Sequence, residues 1–472
     1  MTGAGVDGGV TNPDDFATLI AGTAHKRGVS ATALLAMMSD VVKRSTPLPA
    51  DTLGALLARK ADDLLALRAR LSADVRDEAE KRFRTAATAT LDAGRFAELD
   101  KALAQRELAL LGDLANLAAL SAERRQAAAE IRADRAATSF LRTAPQAYSE
   151  AAQRYSEASA LMGLADLRRS RQFAVAQVEA LARLSVDFGG REGFDAAIAE
   201  ARRLIEGLDG LVEPVAYAAA QAALAEALAR LADLTGEAGM RAEALAACRA
   251  GLEDLRRAEA PGLWRGLQAK TGVLALSLGE AREDEDLLED AVSALAAALA
   301  AWNRDSDGAG WVELEFSIAR ARAVLGARRG DLALLERAFN SFNRIVLTVE
   351  RGREPLRWAA LQDEMGQVLR NMGERYSEPV VLEEAIAAFG LALEERRRET
   401  QPLLWATSSA NQGFATLQLA ERQKDTGLAQ KGLTLVMAAI EAMRAAGFPA
   451  NAGTLQKRLV EASARLSAMK AR

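Results

Sequence analysis

The chain has 472 residues, of which half are hydrophobic and 5% aromatic, and its formal net charge is −5. The hydrophobic half is mostly Ala and Leu, which favour helices, whereas residues that favour strands are scarce, so the composition predicts an all-α protein. The 60 basic and 65 acidic residues are intermixed. This balance gives no electrostatic footprint for nucleic acid, which would need a basic face or stripe, and a basic groove formed by the fold is the alternative. No stretch approaches 18 uncharged apolar residues, so we expect no membrane-spanning helix.

Cysteine usage and the N-terminal residues bear on location and cofactors. Cys248 is the only cysteine, so no intrachain disulfide and no cysteine metal cluster can form. Residues 1–15 lack the basic and apolar segments of a signal peptide. We therefore expect a cytoplasmic protein without metal or cofactor.

The N-terminal segment, residues 1–50, differs in character from the rest of the chain. It opens with a glycine-rich stretch, continues with one or two helices within residues 14–43, and ends at the proline-containing breaker 45–49. Such helices are candidates for a homo-oligomer contact, or for a segment that occupies the binding groove of the remaining chain.

Residues 51–166 form the next predicted region. Residues 51–81 read as one long charged helix, and two short helix pairs follow it. Gly94 marks the turn between the two helices of one such pair.

An internal repeat dominates residues 167–448. Four tryptophans follow one another at a constant interval, since 311−264, 358−311 and 405−358 all equal 47, and Tyr217 stands 47 residues before the first of them. Eight residues after each aromatic anchor the side chain is always small, as in Gly272 and Gly366. Fifteen residues after it stands Gly or Ala, which we expect to end the first helix of each unit as a C-cap.

Each unit thus predicts two antiparallel helices that bury their apolar faces by stacking on the next pair. The prediction is an α-solenoid of six 47-residue units. In the first of these repeats, residues 167–213, Ser170 replaces the aromatic anchor. A polar-faced capping helix is expected within residues 449–472.

The small, small, aromatic and small residues Gly366, Ala385, Phe389 and Ala392 are similar to the Gly, Ala, aromatic, Ala pattern of tetratricopeptide repeats. The first two positions are seven residues further apart than in that family, which predicts a longer loop between the helices, as at 373–379. The unit resembles a long-period variant common in bacterial signalling proteins. The resemblance implies a superhelix whose first helices line a concave, partner-binding face.

On that face we expect exposed polar side chains from successive first helices. An amide-bearing, net positive surface suits an extended peptide, whose backbone and carboxylates it would hydrogen-bond. The candidate partner-binding residues are Arg320, Asp363, Gln367, Arg370, Asn371, Asn411 and Gln418.

Catalytic and metal-binding interpretations have little support. His25 is the only histidine. Cys248 stands at a position of the repeat that is occupied by apolar residues in the other repeats. Residues 303–308 resemble the start of a calcium-binding loop, but Leu314 stands where a bidentate Glu is needed. We expect no enzymatic activity.

Three functional hypotheses follow. The first is a scaffold or adaptor that binds a protein or peptide in its groove. The alternative is a regulatory sensor whose groove binds a peptide or small ligand and controls a separately encoded effector. The third is a degenerate enzyme within residues 1–80.

Overall fold

The computed structural model describes residues 13–38, 50–75, 77–112, 121–163, 165–302, 308–376 and 378–470. Within these ranges every regular element is an α-helix, and helices that are adjacent in sequence pack together, so the predicted all-α solenoid is confirmed. The glycine-rich start, the breaker at 45–49 and most of the calcium-like loop lie outside the described residues. The backbone divides into two compact units, residues 1–263 and 264–472.

The first unit carries eleven complete helices in the described part of the chain. They are α1 (Pro13–Arg27), α2 (Ala31–Met37), α3 (Ala50–Leu71), α4 (Glu78–Asp92), α5 (Phe96–Leu111), α6 (Ala122–Phe140), α7 (Pro145–Gly163), α8 (Leu167–Phe188), α9 (Glu192–Glu206), α10 (Pro214–Thr235) and α11 (Ala238–Glu253). From α4 onward each helix packs against the next one in the chain. Short turns join most of them, so neighbours run antiparallel.

The second unit continues the same alternation. Its helices are α12 (Pro261–Arg282, which begins just before the unit boundary), α13 (Glu285–Ala300), α14 (Gly308–Arg329), α15 (Leu332–Val346), α16 (Pro355–Gly373), α17 (Val380–Glu395), α18 (Pro402–Gln423), α19 (Thr426–Ala445) and α20 (Pro449–Lys470). We call α12, α14, α16, α18 and α20 the first helices. The intervening α13, α15, α17 and α19 are the second helices.

The single helix predicted for residues 51–81 is wrong. The structure has two helices there, because α3 ends at Leu71 and α4 begins at Glu78. The side chain of Asp77 accepts a hydrogen bond from the Ala79 backbone N–H at 2.8 Å and so caps the new helix. The predicted turn at Gly94 is confirmed by its φ of +71°.

Helix α3 lies across α6, α7 and α8 of its own unit. The fully buried ammonium of Lys60 donates to the Tyr148 hydroxyl at 2.6 Å. The adjacent Arg59 pairs with Asp187 at 2.6 Å, and the Tyr148 hydroxyl donates a hydrogen bond to the same carboxylate. Since α3 is also part of a shared apolar core with α1, α2, α4 and α5, this stretch of the first unit's surface is already covered by the chain itself.

The small residues that recur eight and fifteen positions after each aromatic anchor allow a first helix to approach its second helix closely. A Cβ added at Gly366 of α16 would lie 2.8 Å from Cε1 of the buried Phe389 on α17. Gly279 has the same role against Leu288 instead of ending its helix, since α12 continues to Arg282. The C-cap prediction for the position fifteen residues after the anchor is therefore wrong, because packing and not positive φ requires the glycine.

The extra length of the repeat lies mostly in the first helix. The predicted long loop is present after α16, which ends at Gly373, but α12 is separated from α13 by two residues, Glu283 and Asp284. Glu283 takes a left-handed φ of +57°. Asp284 then caps α13 through hydrogen bonds from the backbone N–H groups of Asp286 and Leu287.

We predict that Gly366→Ala lowers the free energy of unfolding by about 1–3 kcal/mol, because the new methyl overpacks the ring of Phe389. The matched control is Gly266→Ala on α12. No atom lies within 4 Å of a Cβ added there, so the control should stabilise by about 0.5–1 kcal/mol through helix propensity. Urea unfolding followed by circular dichroism measures both. Equal effects of the two substitutions would contradict the packing explanation.

Candidate functional site

The first helices of the second unit lie side by side. Helix α16 contacts α14 and α18, and α18 contacts α20. One side of α12, α14, α16 and α18 is buried against the following second helix, and α20 packs on α18 and α19. The polar side chains on the other side of these helices share one surface. We call this the first-helix face, and the predicted partner-binding residues all belong to these helices.

Arg320 and Gln367 are accessible on this face. The Arg320 side chain is 45% exposed, and its guanidinium lies 3.1 Å from both carboxylate oxygens of Glu280 on the preceding first helix. Gln367 is half-buried and donates from Nε2 to Asp363 at 3.1 Å. Both amide and guanidinium are thus already held by neighbours, which fixes their orientation.

Asp363 is not an exposed groove residue, so that expectation is wrong. Its side chain is 7% exposed and accepts a hydrogen bond from the Ser408 hydroxyl at 2.6 Å. The buried guanidinium of Arg396, just after α17, lies 3.4 Å from the same carboxylate oxygen. Asp363 therefore joins α16 to the α17–α18 connection, a structural role that helical spacing alone did not reveal.

The neighbouring Glu364 takes the place on the face that was expected of Asp363. Burial raises the pKa of Glu364 from its ordinary 4.5 to about 7, and the guanidinium of Arg320 opposes this only in part, because Asp363 and Glu280 add negative charge nearby. Asn411 stands 47 residues later at the same position of α18 and is half-buried. Asn411 was among the predicted partner-binding residues, so the sequence had indicated this position of the repeat although it did not indicate Glu364 itself.

Two further ionisable residues stand at the same repeat position. Lys270 and Arg458 stand 94 residues before and after Glu364. Burial lowers the pKa of Lys270 to about 8. Burial also lowers the pKa of Arg458, and the nearby Arg370 guanidinium lowers it further. This repeat position therefore holds three ionisable groups whose charged forms are poorly solvated, a property that is common at functional sites.

Arg370, Asn371 and Gln418 come together toward the C-terminal end of the face. Arg370 donates from Nη2 to Asn371 Oδ1 at 3.0 Å and from Nη1 to Glu374 at 3.2 Å. Gln418 donates from Nε2 to the same Glu374 carboxylate oxygen at 2.9 Å. The three predicted residues thus belong to one hydrogen-bonded group around Glu374.

A cavity of about 130 Å³ adjoins this group. Phe414 of α18 forms part of its wall, and the Arg458 guanidinium of α20 stacks on the Phe414 ring with its Cζ 4.2 Å from the ring centre. The sequence interpretation of α20 as a polar capping helix missed this contribution. Helix α20 supplies Arg458, Glu461 and Arg465 to the cavity wall.

The described residues give little support for chemistry elsewhere. No group of three or more His, Cys, Asp or Glu residues in the described part of the chain is arranged to hold a metal ion. Cys248 is buried, as predicted from the apolar residues at its repeat position, and His25 is exposed on α1. Among the described helices, none is both long and apolar enough to cross a membrane.

We predict that Asp363→Ala lowers the free energy of unfolding by about 3–5 kcal/mol, because it leaves the buried Arg396 guanidinium without its carboxylate. Arg320→Ala breaks an exposed pair and should cost less than about 1 kcal/mol. Thermal and urea unfolding of both variants measure the difference. Comparable losses would show that Asp363 does not hold the second unit together.

Glu364 generates a pH-dependence with a defined sign. Its folded-state pKa of about 7 exceeds its unfolded value, so its contribution to stability is full below pH 4.5 and is lost as the pH rises to 7. Glu364→Gln should remove this loss and stabilise the protein at pH 8 by on the order of 3 kcal/mol. Unfolding measured from pH 4.5 to 8 tests this, with Glu384→Gln on the exposed side of α17 as control. A variant that follows the wild-type pH curve would contradict it.

Comparisons with known proteins identify no family. No protein-family model and no curated protein matches the chain. The crystal structure of BtubC (BKLC) from P. vanneervenii is similar over 52% of this chain and 91% of that chain, with 20% identity and a TM-score of 0.29. A circular tandem repeat protein with novel repeat topology and enhanced subunit contact surfaces is similar over 95% of this chain and 98% of its own, with 17% identity and a TM-score of 0.25.

Proposed function

We propose that the chain is a non-enzymatic, tetratricopeptide-like repeat protein that binds a protein or peptide partner on the first-helix face of residues 264–472. Helix starts support the 47-residue unit. Seven of the described helices begin at a constant interval of 47 residues, at Leu167, Pro214, Pro261, Gly308, Pro355, Pro402 and Pro449. Helix α20 is then the first helix of a further 47-residue repeat, in phase with the preceding repeats.

Contacts between successive first helices support the same unit. Arg357 pairs with Glu313 at 2.6 Å, and Gln418 bonds to Glu374 at 2.9 Å. The two partners are 44 residues apart in each case, since 357−313 and 418−374 both equal 44. This is one unit minus three residues, about one helical turn. Equivalent helices therefore lie side by side.

The observation that carries the binding proposal is the state of the polar groups on this face. Glu364, Arg370 and Arg458 each reach the surface in part, yet burial disfavours their charged forms. Burying such groups costs free energy in the folded protein. Hydrogen bonds and ion pairs from a bound peptide would compensate for that cost. A surface of paired and half-buried polar side chains is suited to an extended peptide.

Selection of peptides from a random display library on the full chain tests this proposal. We expect an enriched sequence motif whose binding falls at least tenfold in the double variant Arg320→Glu, Gln367→Ala, because both side chains stand on the first-helix face. The matched control is Arg444→Glu, Gln430→Ala on the exposed side of α19, which should bind like the wild type.

Circular dichroism melting of both double variants establishes that they are folded. If the library yields no motif, or if the motif binds the first-helix variant as well as the control, the proposed function is wrong.

A further inference from the structure

Two residues that line the cavity near the C-terminal end of the first-helix face each carry one buried polar atom without a partner. Arg370 Nε and Gln418 Oε1 are both buried, and neither has a hydrogen-bond partner among the described residues. The other nitrogens of Arg370 are bonded to Glu374 and Asn371. The amide of Gln418 is oriented by the bond from Nε2 to Glu374, so its oxygen is the group that remains.

One unpaired donor and one unpaired acceptor on residues of the same cavity wall favour a ligand that can both accept and donate a hydrogen bond. A carboxylate accepts from Arg370 Nε but has no proton for Gln418 Oε1. An ammonium group donates to Gln418 but cannot accept from Arg370. A primary amide does both, because its oxygen accepts and its nitrogen donates. Leaving either buried group unpaired costs more than one hydrogen bond is worth, which makes the discrimination effective.

The charges around the cavity also favour a neutral ligand. Three guanidinium groups and three carboxylates form its charged lining, from Arg370, Arg458, Arg465, Glu374, Glu421 and Glu461. Burial lowers the pKa of Arg370, and the nearby Glu374 carboxylate opposes this only in part. A ligand without net charge leaves the balance between these groups undisturbed. An anion or a cation would add a charge close to at least two like charges.

The size of the cavity fits one side chain and not a stretch of backbone. Its volume is about 130 Å³, close to the roughly 150 Å³ of an engineered cavity that accepts a single benzene. A second cleft of about 400 Å³ adjoins it and shares Glu374, Gln418, Glu421 and Arg465 with it. A peptide in the larger cleft can therefore insert one side chain into the smaller cavity.

We infer that this cavity is a specificity subsite for the side-chain amide of an Asn or Gln residue, whose oxygen accepts from Arg370 Nε and whose nitrogen donates to Gln418 Oε1. The apolar stem of that residue packs on Phe414 and Leu417, which line the same cavity. The inference rests on the proposed function for the peptide that presents the amide.

Saturation-transfer NMR with the full chain tests the subsite. The probes are Gly-Gly-X-Gly-Gly peptides with acetyl and N-methylamide ends, where X is Gln, Glu, Lys or norleucine. We expect saturation of the X side chain to be strongest for Gln. Its affinity should exceed that of the other three by about fivefold or more, because each of them leaves at least one cavity group unpaired. Equal binding of all four, or a preference for Glu or Lys, would overturn the inference.

Substitutions within the cavity provide the second arm of the test. Gln418→Leu and Arg370→Met each remove one of the two unpaired groups and should abolish the preference for Gln over norleucine. Gln430→Leu and Arg444→Met on the exposed side of α19 are matched controls and should retain it. A preference that persists in both cavity variants would place the amide elsewhere and refute the subsite.

The two proposals fail in distinguishable ways. If display selects a motif that depends on Arg320 and Gln367 but contains no favoured Asn or Gln, and the Gln probe shows no preference, the subsite is wrong and the peptide-binding function stands. If display selects no motif at all, the peptide-binding function is wrong, whatever the probes show.

Discussion

The close approach of each first helix to its own second helix is the constraint on which the second unit depends. Gly272, Gly366 and Gly413 bring the backbone of one helix against side chains of the next, so that even one methyl group at these positions would be under 3 Å from a neighbouring atom. This contact fixes the rotation of α12, α16 and α18 about their axes. Once that rotation is fixed, the side chains that face the core and those that face outward are also fixed.

Asp363 and Glu364 show how sharply this rotation divides the residues of a helix. They are consecutive carboxylates, and successive helical residues point about 100° apart. Asp363 is buried with Arg396 and Ser408, where it connects α16 to the following helices. Glu364 reaches the first-helix face, where burial and the carboxylates of Asp363 and Glu280 raise its pKa. One residue therefore maintains the stack, and the next lies partly exposed on the first-helix face at an energetic cost to the fold.

The last helix combines two roles that a sequence pattern treats as alternatives. Helix α20 buries Ala452, Leu455, Leu459 and Ala462 in the apolar core that it shares with α18 and α19, as a terminal helix must. Its polar side also completes the cavity beside Arg370 and Gln418, through Arg458 and Arg465. A polar outer face is thus not evidence that a helix is solely a cap, because the same residues form the wall of a cavity.

The sequence by itself determined the all-α class, the constant interval between aromatic anchors and the helices that carry the candidate site. These follow from composition and period, which depend on local preferences and on the spacing of residues along the chain. It did not determine where α3 ends, why Gly279 is a glycine, or that Asp363 is buried. It also did not reveal the cavity shared by Arg370, Gln418 and Arg458. Those features depend on contacts between helices that are distant in sequence, and only the tertiary structure decides which side of each helix meets a neighbour.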